Sequence, residues 1–313
     1  MNHPVITSLL PVILLIATGF VAGKREWIKI AAKNDYAKLV FLLLLPPLLF
    51  RTMALTHPEN LQILPVIAYL GSMLILFAIV LVFTGVNQRG AILGLAATYG
   101  NTVMIGIALI GFAYGDAGQA VLFSLLSVHA IIMLTSATLL LEWLKLRNSA
   151  SKDAIDRPHP VTAALQALRG ALLQPTTWPI LLGLAFSQTG LTLPVVIDRP
   201  LQLLGSAFSP LALVLVGLTL ANTAFGDHIK PAIGLSILKN FVQPLLVLGL
   251  GFILNLHGLP LKVMVVAASL PMGANVFMFS QRYQESEDLV TTSVSVSTVM
   301  ALFSVALTMS LMP

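Results

Sequence analysis

The sequence predicts an all-α polytopic membrane protein, and this fold class rests on composition, the length of the apolar runs and the placement of charges. Of the 313 residues, 57% are hydrophobic and only 9% are charged, whereas soluble domains carry about 25% charged residues. A membrane-spanning helix needs about 20 mostly apolar residues, and its backbone polar groups must pair within the helix. The chain contains ten apolar segments, so we expect ten transmembrane helices.

Short polar stretches that carry most of the charges separate the ten apolar segments. The first segment is expected to be a span rather than a cleaved signal peptide, because its basic residues follow the apolar run instead of preceding it. The segments cover residues 5–22, 36–54, 62–86, 91–113, 117–143, 175–190, 197–221, 229–254, 261–281 and 288–312.

The basic residues lie between the apolar segments rather than in one patch, which argues against a nucleic-acid-binding surface. Cytoplasmic loops of membrane proteins carry an excess of Lys and Arg. Here the odd-numbered loops hold Lys24, Arg25, Lys29, Lys33, Arg89, Lys145, Arg147, Lys152, Arg157, Arg169, Lys230 and Arg282. The even-numbered loops and the termini hold only Arg51, Arg199 and Lys262. We therefore expect an inner-membrane protein with both termini outside, in the periplasm, and with the connection 144–174 in the cytoplasm.

The polar connection also divides the chain into two parts. We expect a first five-helix repeat over residues 1–145, a connection over 146–174 and a second repeat over 175–313. An odd number of spans forces the two repeats into opposite orientations, as in transporters with inverted repeats. Similar stretches in the same order support this division: "LPVILLIATG" (10–19) with "WPILLGLAFS" (178–187), and "GNTVMIG" (100–106) with "GANVFMFS" (273–280).

Segments four and nine each contain a polar, helix-weakening cluster near their middle. Proline removes a helix hydrogen bond, and glycine weakens a helix by about 1 kcal/mol relative to alanine. In lipid, backbone freed in this way is tolerated only where protein or a water-filled cavity satisfies it, and paired breaks in two repeats indicate a transporter substrate site. The residues predicted for this site are Tyr99, Gly100, Asn101 and Thr102 in segment four, with Pro271, Gly273 and Asn275 in segment nine.

The predicted site suits a small organic anion. The N–H groups at broken helix ends carry a partial positive charge, and the amides of Asn101 and Asn275 can donate and accept hydrogen bonds without a charge. The alternative is structural, with glycines that permit close helix packing and asparagines that bond across helices. The two clusters occupy matching positions in segments four and nine, which favours a substrate site over the structural alternative.

Two ionisable residues inside the predicted spans are candidates for ion or proton coupling. Lys239 lies in segment eight, about 13 Å along the helix from Lys230 at 1.5 Å per residue, and intramembrane ionisable residues mark function by default. His129 lies near the middle of segment five, and imidazole can serve as a proton relay. The alternatives are a lysine that bonds to a carbonyl or reaches the interface, and a neutral histidine that bonds to a neighbouring helix.

The chain resembles a bacterial member of the auxin efflux carrier family over nearly all of its length. The resemblance is carried in order by "LLLLPPLLF" (42–50), "GNTVMIGIAL" (100–109), "LKNFVQPLL" (238–246), "LPMGANVFMFSQRY" (270–283) and "VTTSVSVSTVM" (290–300). It implies two inverted five-helix repeats, a scaffold part, a transport part and broken helices four and nine that cross at the substrate site. It also implies an organic anion as substrate, such as auxin in plants or malonate or malate in bacteria. The chain departs from the family at Ala108, where members commonly have proline.

Other function classes find little support in the sequence. The chain lacks the His-Glu-x-x-His, Gly-x-Ser-x-Gly and phosphate-loop motifs, and it has no cysteine for thiol catalysis or a Cys-based metal site. We therefore expect no enzyme, cofactor or metal site. A channel would need a selectivity filter or a ring of charges, and a non-transporting sensor or receptor on the same scaffold is the other alternative. Proton coupling, sodium coupling and uniport all stay open, as does the oligomeric state, a homodimer included.

Overall fold

A computed structural model describes residues 4–56, 63–148, 176–221 and 228–312, together with Leu165 and Arg169. Most of the predicted connection 146–174 lies outside the described residues. Within them the chain forms eleven helices: α1 (Pro4–Lys24), α2 (Lys33–Ala54), α3 (Ile63–Thr84), α4 (Gln88–Thr98), α5 (Ile107–Asn148), α6 (Thr177–Ser187), α7 (Val195–Ala221), α8 (Ile229–Ile253), α9 (Gly258–Ser269), α10 (Asn275–Tyr283) and α11 (Glu287–Leu311).

Three of the helical stretches contain a widened π turn. In α2 it covers Leu39–Leu44 and in α8 Leu238–Val242, just before Pro46 and Pro244 respectively. Proline cannot donate the backbone hydrogen bond that a regular α-helix requires, so the wider turn adapts the backbone around it. The third π turn, Thr102–Gly106, leads directly into α5. All three occur in stretches that the sequence singled out as polar or proline-rich.

The expectation of an all-α membrane protein is confirmed. Among the described residues, seven helical stretches are long and apolar enough to cross a membrane. One of them, Thr102–Leu144, is bent at Gly115, whose φ of 62° and ψ of −158° lie outside the helical region. The predicted sixth segment forms the short helix α6, and the fourth and ninth are each divided between two helices. Length alone therefore identifies fewer spans than the apolar runs predict.

The helices form two groups that pack side by side. In the four-helix group, α1 packs on α7, and α2 packs on both α6 and α7. The closest approach is between Gly19 of α1 and Gly217 of α7, where an added Cβ would overlap the carbonyl oxygens of Val214 and Ile16. The seven-helix group contains α3, α4, α5, α8, α9, α10 and α11. It meets the four-helix group mainly where α1 contacts α5 and where α7 contacts the turn Thr102–Gly106.

Candidate functional site

The two broken helices meet at one point inside the seven-helix group. After α4 ends, Tyr99 is extended (φ −86°, ψ 109°), and after α9 ends, Leu270 is extended as well (φ −64°, ψ 155°). The two extended stretches pair as an antiparallel bridge between Gly100 and Met272. We call residues 99–101 and 271–273 together the crossing.

At the crossing, the backbone of each extended stretch forms hydrogen bonds with the backbone of the other. The N–H of Asn101 donates to the carbonyl of Pro271 at 2.7 Å, and the N–H of Gly273 donates to the carbonyl of Tyr99 at 2.9 Å. Unpaired backbone groups in hydrocarbon cost several kcal/mol each. Reciprocal pairing therefore allows two helices to be broken at the same depth.

Close approach explains the two glycines of the crossing. A Cβ on Gly273 would lie 2.9 Å from Cδ1 of Tyr99 and 3.0 Å from the carbonyl oxygen of Gly100. A Cβ on Gly100 would lie 3.3 Å from both Cε and Nζ of Lys239. Any side chain at either position would push the two stretches apart or displace the lysine.

Of the two predicted asparagines, Asn101 belongs to the crossing and Asn275 follows it by two residues, and both are half-buried. The Oδ1 atom of Asn101 accepts a hydrogen bond from the N–H of Met104 at 3.4 Å and so caps the turn that opens α5. The Nδ2 atom of Asn275, at the start of α10, donates to Oη of Tyr99 at 3.2 Å. Thr102 and Tyr99 are buried beside them. The structure thus brings together all seven residues predicted for the substrate site.

Lys239 lies against the crossing rather than at a membrane interface. Its side chain is fully buried, and Nζ donates to the carbonyls of Ala268 and Leu270 at 2.8 and 2.7 Å. These carbonyls mark the end of α9, where a helix carries a partial negative charge and lacks intrahelical partners. The broken end of α9 therefore holds the side chain of Lys239 in place.

His129 packs against Tyr99 and is almost fully buried. Its ring is 4.7 Å from that of Tyr99 and 5.7 Å from that of Tyr69, measured between ring centroids. Within the described part of the chain, Nε2 of His129, Oη of Tyr69 and Oε1 of Gln243 have no hydrogen-bond partner. Buried polar atoms are usually paired, so these three atoms are unusual.

Three further residues support the crossing and were not predicted individually: Asn240, Gln243 and Ser297. Tyr69 was not predicted either, and its ring packs against that of His129. Gln243 donates through Nε2 to the carbonyl of Thr98, the last residue of α4, at 2.9 Å. Ser297 accepts from the N–H of Met272 at 2.9 Å and donates to Oδ1 of Asn240 at 2.6 Å. Polar residues in the spans "LKNFVQPLL" and "VTTSVSVSTVM" were the available signal, but their partners could not be inferred from spacing.

A cavity of about 410 Å³ lies between the two helix groups, at the end of α2. Residues Arg51, Thr52 and Thr56 line one wall. The other wall comes from the start of α9 and from the part of α5 that follows Gly115, including Asp116, Ala117 and Ala120. Arg51 is held by Asp198 of α7 through bonds of 2.6 and 3.1 Å.

Comparisons with known proteins relate the chain to membrane transport proteins. The protein family described as "Membrane transport protein" matches residues 4–309. The "Uncharacterized transporter YfdV" of Escherichia coli K12 is 25% identical over 299 residues, which cover 93% of this chain and 92% of the relative. "Auxin efflux carrier component 8" of Arabidopsis thaliana is 23% identical over 352 residues, covering 96% and 95%. An "Uncharacterized transporter" of Methanothermobacter thermautotrophicus is 24% identical over 303 residues, covering 96% of each chain.

Proposed function

Because the chain belongs to the membrane transport protein family, which includes the auxin efflux carriers, we propose that it is a secondary transporter of a small organic anion such as a mono- or dicarboxylate. The chain is a multi-pass membrane protein of a transport family. The identity of the substrate that it carries is the proposal. The name of the plant relative refers to an organic acid anion, which is consistent with this substrate class.

One observation carries the proposal: two helices are broken at the same point, and their free ends converge on it. The turn that opens α5 and the first turn of α10 both begin at the crossing. Helix N-termini present N–H groups and a partial positive charge, which favour a carboxylate. Asn101 and Asn275 add amide donors on either side, while Tyr99, Gly100, Thr102, Pro271 and Gly273 complete the proposed site. Discontinuous helices of this kind form the substrate sites of many secondary transporters.

An inverted repeat would explain the pairing of helices. We propose that residues 1–145 and 175–313 are the two repeats, joined by the connection 146–174, and that they make ten passes. Exchanging the repeats converts the α1–α7 contact into the α6–α2 contact, and both are close packings at glycine: Gly19 with Gly217, and Gly183 against the carbonyl of Phe50. An odd number of spans per repeat places both termini on one side, which positive-inside counting assigns to the periplasm.

Movement between the two helix groups would provide alternating access. The crossing belongs to the seven-helix group, and the cavity beside Arg51 lies between the groups. We propose that the seven-helix group carries the substrate and rocks against the four-helix group, the scaffold. The cavity is then part of the path to the crossing. Lys239 and His129, buried next to the crossing, are the candidates for coupling to an ion or a proton.

Uptake of labelled carboxylates into liposomes that contain the purified protein tests the substrate site. Asn275→Ala removes the donor to Tyr99, and Asn101→Asp keeps an oxygen to cap the turn while adding a negative charge. We expect both variants to lower uptake by about tenfold or more, because each loses a charge-assisted hydrogen bond to the anion or repels it. Uptake that is unchanged in both variants would show that the crossing is not the site.

Asn87→Ala is the matched control for this test. Asn87 caps α4 by accepting from the N–H of Gly90 at 2.8 Å, but it is exposed and lies at the other end of that helix. Loss of this cap should cost about 1 kcal/mol of stability without changing the concentration that half-saturates uptake. Saturable uptake also separates a carrier from a channel, whose flux would keep rising with substrate concentration.

A further inference from the structure

We propose that the amino group of Lys239 is a built-in cation that takes the place of a coupling sodium ion at the crossing. The inference deepens the proposed function, on which it rests, because it states how that same site is coupled. Its starting point is the geometry of the amine and not the chemistry of the substrate.

The end of α9 offers the ligands that a cation seeks. The carbonyls of Ala268 and Leu270 both point at Nζ of Lys239, at 2.8 and 2.7 Å. In discontinuous-helix transporters, carbonyls at the C-terminal ends of half-helices are groups that coordinate sodium ions or protons. A lysine ammonium is a compact point charge with three donors, so it can satisfy the same carbonyls without an ion from solution.

The position of Lys239 is fixed by its surroundings. Its side chain is fully buried in the π turn of α8, and Gly100 leaves it just enough room at the crossing. A larger residue at position 100 would contact the amine of Lys239. The lysine therefore contacts the first break, at Gly100, as well as the second break, at the end of α9.

Acidic groups do not provide the balance for this charge. Among the described residues, no Asp or Glu forms an ion pair with Lys239, and no cluster of His, Asp and Glu suits a metal ion. Within the described part of the chain the amine is balanced by carbonyl dipoles alone, which leaves part of its field for an incoming anion. A site that already contains its cation needs no sodium ion to attract a carboxylate.

Lys239→Ala converts this arrangement into an open cation site. The substitution removes the amine and leaves two carbonyls unpaired beside a space of the size of the lost side chain. Lys239→Met removes the charge but fills the space. Lys230→Ala removes an exposed lysine from the same helix, at its N-terminal end, and controls for the loss of one positive charge.

Binding can be measured without any transported substrate. Purified Lys239→Ala protein should unfold at a higher temperature in methylammonium or sodium chloride than in N-methylglucamine chloride, because a cation bound only to the folded state stabilises it. The parent protein, Lys239→Met and Lys230→Ala should show no such difference. A similar sodium shift in the parent protein, or no shift with either cation in Lys239→Ala, would overturn the inference.

Uptake into liposomes gives the second readout. We expect uptake by the parent protein to be the same in sodium and N-methylglucamine media, and uptake by Lys239→Ala to fall by about tenfold or more and to recover in methylammonium. Uptake by the parent protein that requires sodium would overturn the inference while leaving the transport function standing. If no carboxylate is transported by the parent protein, the proposed function fails, and the cation shift still decides the role of Lys239.

Discussion

Ser297 shows how a single hydroxyl group supports the second break. Its Oγ accepts from the N–H of Met272, which has left the helix, and donates to Asn240 of α8. All three groups are fully buried. Ser297→Ala should therefore lower the free energy of unfolding by about 2 kcal/mol or more, because it leaves a buried donor and a buried acceptor unpaired. Thermal unfolding of the purified protein in detergent measures the change.

Ser295→Ala is the control for this prediction. Ser295 is also buried in α11, but among the described residues its hydroxyl bonds only to the carbonyl of Thr291, one turn back in the same helix. We expect a loss of less than about 1 kcal/mol, since that carbonyl belongs to the helix backbone and keeps its own bonding there. Equal losses in the two variants would mean that Ser297 does not hold the break.

Residue types identified the crossing, but not the contacts around it. Asn101, Asn275 and Pro271 stood out because polar and helix-breaking residues are rare inside apolar segments. The bond between Asn275 and Tyr99 joins residues 176 positions apart, and no local pattern encodes such a distance. Tyr69 escaped notice because one aromatic residue in a span is common, and only packing places its ring beside His129.

At the scale of elements, the pair α1 and α7 depends on glycine. An added Cβ at Gly217 would overlap the carbonyl oxygen of Ile16, which belongs to the facing helix backbone and cannot rotate away. Gly217→Ala should therefore separate the helices and destabilise the protein by about 1–3 kcal/mol. The measurement is the unfolding temperature of the purified variant in detergent.

Gly249→Ala in α8 separates this effect from the general influence of alanine on helices. No atom lies within 4 Å of a Cβ built at Gly249, so the substitution should be neutral or stabilise the helix by up to about 1 kcal/mol. If both variants unfolded at the temperature of the parent protein, α1 and α7 would not need their close approach.

Apolar length and helix-breaking residues predicted most of the elements. The breaks in segments four and nine could be placed within a few residues, because Gly100 weakens a regular helix and Pro271 removes one of its hydrogen bonds. The first break forms although Ala108 stands where the family commonly has proline: the cap from Asn101 and the bond to Pro271 end α4 and start α5. The spacing of Gly19 and Gly23 matches a common packing motif, yet choosing α7 as partner requires the fold.

At the scale of the whole molecule, the two helix groups contain different structural features. The crossing, with its polar supports, lies in the seven-helix group, whereas the four-helix group is packed through glycines and holds the Arg51–Asp198 ion pair. Few polar contacts tie one group to the other among the described residues; one is the weak bond from Ser8 to the carbonyl of Phe112. An interface with few directional bonds suits a rocking motion, because few hydrogen bonds or ion pairs must break when the groups slide past each other.

Absence of cysteine from the chain makes this motion and the orientation testable with single-cysteine variants. Ala120→Cys places a thiol in the cavity, on the wall that faces Arg51, and Asn34→Cys places one at the exposed start of α2. A charged thiol reagent that does not cross membranes should label Ala120→Cys in intact cells, and Asn34→Cys only after permeabilisation. Saturating substrate should change the labelling rate at position 120 but not at position 34, because the cavity lies between the two groups that we propose to move. The reverse labelling pattern would invert the proposed topology, and a substrate-independent rate at position 120 would show that the cavity does not take part in transport.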